Sequence, residues 1–310
     1  MAEGLDRLSA HWFVKPGDVV FDVGVYRGET AMMYLDRGAS AVYGFEPLPA
    51  NGASLPERLT SDPRFHLLPC ALAAVNGRQN LIVPRRNNGG GTLSSDFFRW
   101  IRREPDDEGS THAVETRALD DLDLPRANFW KIDIEGAELA VLRGVEATIR
   151  RSPPDVVQAE IFLSDRTLYL NTLDYIKARF QHFWAIGAAP DGRLLHYDVT
   201  SEAISSRDFH EALARCGTPH FYASSVSFWD WIGRLPAGPG TRLLKRSFPA
   251  WRPRDWRRPR LLESRRGNPR PWCLPRNHGG ARSAPSRTPG SRRSTSRTTP
   301  AASTPTCRRR

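Results

Sequence analysis

The chain of 310 residues carries 45 Lys and Arg against 34 Asp and Glu, a formal net charge of +11. The excess is local: residues 242–310 hold 20 Lys and Arg against Asp255 and Glu263 alone, whereas the first 241 residues hold 25 basic and 32 acidic side chains, a net of −7. A basic isoelectric point would ordinarily point to nucleic acid or an anionic membrane, but here it cannot be assigned to the part able to bury a core. Cys70, Cys216, Cys273 and Cys307 are scattered without a CxxC pair, which excludes a disulfide framework and a zinc set. The opening MAEGLDRLSA lacks the apolar core of a leader, and no apolar run reaches spanning length. The expectation is a cytoplasmic protein with no integral membrane segment.

Residues 19–25 (VVFDVGV) follow the turn signal Lys15-Pro16-Gly17-Asp18 and predict a buried strand. Residues 28–37 place Ala31, Met32, Tyr34 and Leu35 at helical spacing before Gly38, so a helix is predicted, and 41–46 (AVYGFE) is the next strand. With links this short the unit is βαβ and its strands are parallel. Residues 65–72 predict a third strand, 80–83 an edge piece, and 87–95 (NNGGGTLSS) a Gly-rich loop that with 96–110 is long enough to form a lid. The pattern strengthens again at 129–134 (strand), 137–150 (helix) and 155–162 (strand), then continues through a helix at 172–180, late strands at 184–186 and 194–197, and a helix at 206–215. Trp229 and Trp231 are expected to close the domain or cover its pocket. A single α/β domain over residues 1–235, a doubly wound and mostly parallel sheet, accounts for the alternation. From 236 to 310 Arg, Pro, Ser, Thr and Gly dominate. Such a segment buries too little apolar surface to offset its ordering entropy and predicts a disordered basic tail, in which Trp251, Trp256 and Trp272 alone are suited to a local docking patch.

The turn after the first strand is the candidate ligand site. A dinucleotide fingerprint would require glycines at Tyr26 and Glu29, counting from Gly24; Tyr26 blocks the approach of a pyrophosphate and Glu29 opposes its charge. S-adenosylmethionine (AdoMet) has no phosphate and suits the residues present. Asp22 is placed to hold an ammonium, Gly24, Val25, Tyr26 and Gly28 to wrap the methionine and ribose, and Glu46, followed by Pro47, to accept both ribose hydroxyls. An ordinary βαβ turn, with Asp22 capping the helix and Glu46 solvated, is the alternative. Downstream, Lys131-Ile132-Asp133-Ile134-Glu135-Gly136-Ala137-Glu138 puts Asp133 and Glu135 on one side of a strand's carboxyl end, as a candidate base or hydroxyl-orienting pair. Asp133 paired structurally with Lys131 is the competing reading. Glu138 falls in a first helical turn, where an acid favours the dipole. A magnesium site on Asp133 and Glu160 lacks an evident third ligand, so no metal site is assigned. His66, His112 and His196 stand isolated.

These segments resemble the FkbM-type methyltransferases. The resemblance is carried by Lys15-Pro16-Gly17-Asp18-Val19-Val20-Phe21-Asp22-Val23-Gly24, Phe45-Glu46-Pro47, Leu119-Asp120-Asp121-Leu122 and 131–138, in that order, over roughly residues 13–162. It implies a Rossmann-like methyltransferase fold, AdoMet as methyl donor, Glu46 on the ribose, the segment around Ala71 near the adenine, and O-methylation of a small-molecule or saccharide acceptor. The family usually has a small residue and Asn after the first motif glycine, where this chain has Val25-Tyr26-Arg27. The alternatives are a nucleic-acid methyltransferase that tracks phosphates with its basic tail and a Rossmann-like binding protein without catalysis.

Overall fold

The computed structural model describes residues 2–85, 88–101, 109–162, 165–189, 194–216 and 219–234. The chain divides into the units Met1–Arg254 and Asp255–Arg310, and every described residue belongs to the first. The tail expected over 236–310, with its three tryptophans, lies outside the described residues. So do residue 87 and residues 102–108 of the expected lid.

Eleven strands are described: β1 (Val19–Val23), β2 (Ala41–Phe45), β3 (Phe65–Leu68), β4 (Ala71–Leu72), β5 (Gly77–Val83), β6 (Ser110–Arg117), β7 (Phe129–Ile132), β8 (Val156–Glu160), β9 (His182–Ala188), β10 (Leu194–Asp198) and β11 (His220–Ser224). Eight form one sheet in the order β10-β9-β11-β8-β7-β1-β2-β3, and β4-β6-β5 form a small second sheet. From β3 through β8 all neighbours are parallel, while β11 runs antiparallel between β8 and β9. Parallel strands covered on both faces are largely apolar, and all four residues of β7 are buried, Lys131 among them.

Helices cover both faces, as a doubly wound sheet requires. On one face the helices Ala2–Phe13, Glu29–Asp36 and Phe228–Gly233 contribute Phe13, Tyr34 and Trp231 to a core with Val20, Phe129, Trp184 and Tyr222. On the other, Glu138–Arg143, Glu146–Arg151 and Arg166–Lys177 bring Leu142, Ile149 and Leu173 onto Phe21, Trp130 and Val157. The indole N–H of Trp231 donates to the Trp12 carbonyl at 2.9 Å, so the last described helix closes the domain against the first. Among the described residues no helix is long and apolar enough to cross a membrane.

Several boundaries differ from expectation for identifiable reasons. The predicted strand 65–72 is split between the two sheets. The predicted helix 137–150 breaks at Gly144, where a Cβ would lie 2.0 Å from the Ala73 carbonyl oxygen; its second half is capped from outside, the Asp120 carboxylate accepting the N–H groups of Ala147 and Thr148 at 2.8 and 2.7 Å. The helix expected at 172–180 starts earlier, at Arg166, because Asp165 caps it. Part of the expected lid is the helix Ser95–Ile101, and another part begins β6. The helix Ala2–Phe13 and the strands β6 and β11 had no expectation.

Candidate active site

The strand order reverses between β1 and β7, and the crevice beyond the carboxyl ends of strands at such a switch is where open α/β sheets bind ligands. Three loops meet there, after β1, β2 and β7. Gly24 joins the first to the third: with φ +95° its Cα approaches so closely that a Cβ would lie 2.0 Å from the Asp133 carbonyl oxygen. Gly28, also at positive φ, packs under Leu59. Between them Tyr26 holds φ +51°, a left-handed conformation costing a bulky residue about 1–2 kcal/mol. Its ring lies under the Arg27 guanidinium, 5.0 Å from the centroid. Val25 turns inward, buried against Gly44, so it anchors the loop through packing and backbone.

Glu46 clamps the first two loops. Its Oε2 accepts the Tyr26 N–H at 2.9 Å, and its Oε1 accepts the Leu48 N–H at 2.9 Å and the Asn51 amide at 3.2 Å. The solvated alternative for Glu46 is therefore set aside: it is buried, which raises its pKa, and the N–H donors of Leu48, Tyr26 and Asn51 offset only part of the rise. Oε2 carries a single donor and retains acceptor capacity for a hydroxyl. Pro47 is half-buried. Ala71 sits in an apolar cluster with Leu48, Leu81, Val83 and Val114, which places its segment beside the Glu46 loop. Asp22 is fully buried: its Oδ2 accepts the Thr30 hydroxyl at 2.7 Å, while its Oδ1 has no protein partner. Burial, opposed by Lys131, lifts its pKa to about 6.

The third loop departs from the expected geometry. β7 ends at Ile132, so strand alternation does not place Glu135; a turn with φ +57° at Glu135 and +90° at Gly136 does. Thr92 holds that turn by donating to the Glu135 carbonyl at 2.6 Å, and Phe97 covers Gly136. The Lys131 ammonium contacts Asp133 Oδ2 at 2.8 Å. Burial is the largest influence and pushes Asp133 up, but Lys131, His220 and Glu160 together hold the carboxyl below its ordinary range. Glu135 moves the other way, to about 8, through burial and the charges of Asp133 and Glu138. The pairing of Ile132 with Ala159 sets Glu160 beside Asp133, to which it hydrogen-bonds; burial and that neighbour push Glu160 to about 9. Asp133, held down by Lys131, thus lies beside the carboxyl of Glu160, pushed the other way, the divergence that acid–base sites use. Glu138 lies in the first turn of its helix, where it was expected, and accepts the Gly136 N–H at 3.0 Å. Among the described residues no group of three or more His, Cys, Asp or Glu side chains could hold a metal ion.

Thr30, Asn51 and Gln158 were missed in the sequence. Gln158 had a usable signal, being a polar residue in the middle of an apolar run, like Asp22 and Lys131. Of the isolated histidines, His66 stacks on Tyr43, His112 is bonded to Ser110, and His196 stacks on Phe228 with burial lowering its pKa to about 3.

A doubly wound sheet whose parallel strands give way at one edge to antiparallel β11 and β10 on either side of β9, with Asp22 near the end of its first strand and Glu46 just after its second, defines a Rossmann-like methyltransferase fold. Residues 22–181 match the family model of the methyltransferase FkbM domain. This is more than half of the chain, and the chain belongs to that family. Similar solved structures include the methyltransferase FkbM from Methylobacillus flagellatus KT, at 18% identity and TM-score 0.41, covering 66% of this chain and 43% of that protein. The chain therefore spans less than half the length of that relative. The precorrin-6y C5,15-methyltransferase from Geobacter metallireducens GS-15 aligns at 11% identity and TM-score 0.38, over 72% of this chain and 87% of that one. A putative rRNA-methylase from Clostridium thermocellum aligns at 11% identity and TM-score 0.41, over 71% and 93%. No curated protein sequence matches the chain.

Proposed function

We propose that the protein binds AdoMet in the crevice above β1 and β2 and transfers its methyl group to a hydroxyl of a neutral small molecule or saccharide. The observation that carries this reading is the Asp133 carboxylate, kept ionised by buried Lys131 in the loop that touches Gly24. AdoMet, when bound, supplies a methyl group activated on a sulfonium. Asp22, with its unpartnered Oδ1, suits the ammonium of the methionine end, and Glu46 suits the ribose diol. Gly24, Val25, Tyr26 and Gly28 shape the wall between them, with Pro47 and the Ala71 segment towards the adenine. Asp133 accepts the proton of the acceptor hydroxyl, and Glu135 orients it. Most of the acceleration in such a displacement comes from positioning, with modest help from the base.

The acid-rich site attracts a cationic cofactor and repels phosphates, which favours a neutral acceptor over nucleic acid. We assign the catalytic unit to residues 1–235. A cytoplasmic setting accords with Cys70 and Cys216, both buried and free. Calorimetry tests the cofactor: Glu46→Ala is expected to weaken AdoMet at least about tenfold, equivalent to about 1.4 kcal/mol, and unchanged affinity removes Glu46 from the site. Asp133→Asn, assayed with labelled AdoMet against neutral polyol, phenol and RNA acceptors, is expected to lower turnover while sparing affinity. Transfer to RNA alone would overturn the choice of acceptor.

A further inference from the structure

Behind the proposed cofactor site lies a polar layer that the reading above does not use. Across one sheet face, Asp22, Lys131 and Gln158 occupy adjacent register positions on β1, β7 and β8. The Gln158 amide donates to Asp6 Oδ1 of the helix Ala2–Phe13 at 2.7 Å and lies 3.0 Å from Nδ1 of His220 on β11. Two acceptors fix the orientation of that amide and put the His220 proton on Nε2. All five side chains are buried, Asp6 at 9% exposure being the most open. Asp6 and His220 both lie outside the family-matched segment 22–181.

We propose that Asp6 is a positioning residue for the site: it sets how the Lys131 ammonium is divided between Asp22 and Asp133, and so makes the N-terminal helix part of the cofactor-binding machinery. The inference rests on Asp22 facing the cofactor, as proposed above. The layer holds one ammonium against the carboxylates of Asp6, Asp22 and Asp133, each of which acts on it. Asp22 is faced by Lys131 and Asp133 from the β7 side, by Thr30 and Tyr34 from the helix Glu29–Asp36, and by Asp6 from the N-terminal helix. Glu160, His220 and Tyr222 extend the layer beyond Lys131. In a medium that screens so little, a charge two side chains away still counts. Neutralising Asp6 removes a like charge from Asp22 and a competitor for Lys131. Both effects ease the ionisation of Asp22, the form a cation needs.

The test uses the full chain as wild type and Asp6→Asn, titrated with AdoMet by calorimetry from pH 4.5 to 8. Wild-type affinity is expected to fall as Asp22 takes up its proton. In Asp6→Asn the fall should move to lower pH by about half a unit or more. A second arm needs no ligand: urea unfolding of Asp6→Asn, Asp22→Asn and the double variant over the same range. Coupling predicts that Asp6→Asn changes the pH slope of stability in the wild-type background and leaves it unchanged beside Asp22→Asn. An unmoved midpoint, or a stability loss equal at every pH in both backgrounds, overturns the proposal. Failure of the wild type to bind AdoMet would sink the cofactor reading instead, and the ligand-free arm would then decide the coupling alone.

Discussion

Replacing Lys131 with Met should destabilise the domain more than any surface change. The ammonium is 4% exposed and its partner carboxylate on Asp133 is 25% exposed, so removing one partner leaves a poorly hydrated charge beside Asp22, Asp6 and Glu160. Breaking a buried pair in this way costs about 3–5 kcal/mol, a large share of the roughly 5–15 kcal/mol that holds a domain folded. The pH dependence has a defined sign. Asp133 has a lowered pKa, so its share of the stability is present above the unfolded carboxylate value and lost as pH falls through the folded one. Lys131 has a raised pKa, so its share is lost only when pH climbs above the unfolded lysine value. The penalty should therefore be greatest in neutral to mildly alkaline buffer, where Asp133 and Asp22 would be left ionised without their cation, and shrink as falling pH protonates them. Urea denaturation of Lys131→Met beside Lys131→Met/Asp133→Leu measures it, the double variant recovering much of the loss because no charge is left unpaired. A single-variant penalty under about 1 kcal/mol, the scale of an exposed pair, would refute the reasoning.

Gly24→Ala combines an unfavourable φ with a clash against the Asp133 carbonyl; AdoMet binding measured by calorimetry should be lost, and retained affinity would mean that the two loops separate without harm. Tyr26→Asn should raise stability by about 0.5–1 kcal/mol in thermal or urea unfolding, since Asn tolerates the left-handed region that Tyr occupies under strain. The pH profile of methyl transfer separates the two candidate bases. If Asp133 takes the proton, the rising limb lies in the acidic range, whereas a limb near pH 8 would give the role to Glu135, whose pKa burial raises to about 8.

The βαβ unit was legible because β1 and β2 are short, mostly apolar runs set off by Lys15-Pro16-Gly17 and Gly38, so local pattern and tertiary role agree. β11 was not. His220 and Ser224 make its sequence look half-polar, yet both are buried, Ser224 donating to the Asp155 carbonyl at 2.7 Å and His220 meeting Gln158; partners 62 and 69 positions away leave no trace in a local window. β6 was hidden for the opposite reason, its exposed polar residues resembling a loop. In the site, the residues at strand ends were readable because the alternating elements mark where ligands bind. The Tyr26 N–H on Glu46 and the reach of Asp6 across the sheet depend on how separate segments meet.

The antiparallel wedge of β11 also has a consequence for synthesis. β8 and β9 are separated in the sheet by a strand that follows both in the chain, and β11 is paired along its whole length on each side. A ribosome that has released residues as far as β10 holds a chain whose sheet cannot yet be continuous, with two strand edges open to other chains. Ser9 bonds to the Tyr222 hydroxyl at 2.6 Å, so the helix Ala2–Phe13 must also wait for β11 before it gains this partner. Vectorial folding of this domain therefore ends in one late insertion, and the interval before it is when the nascent protein is most exposed to aggregation.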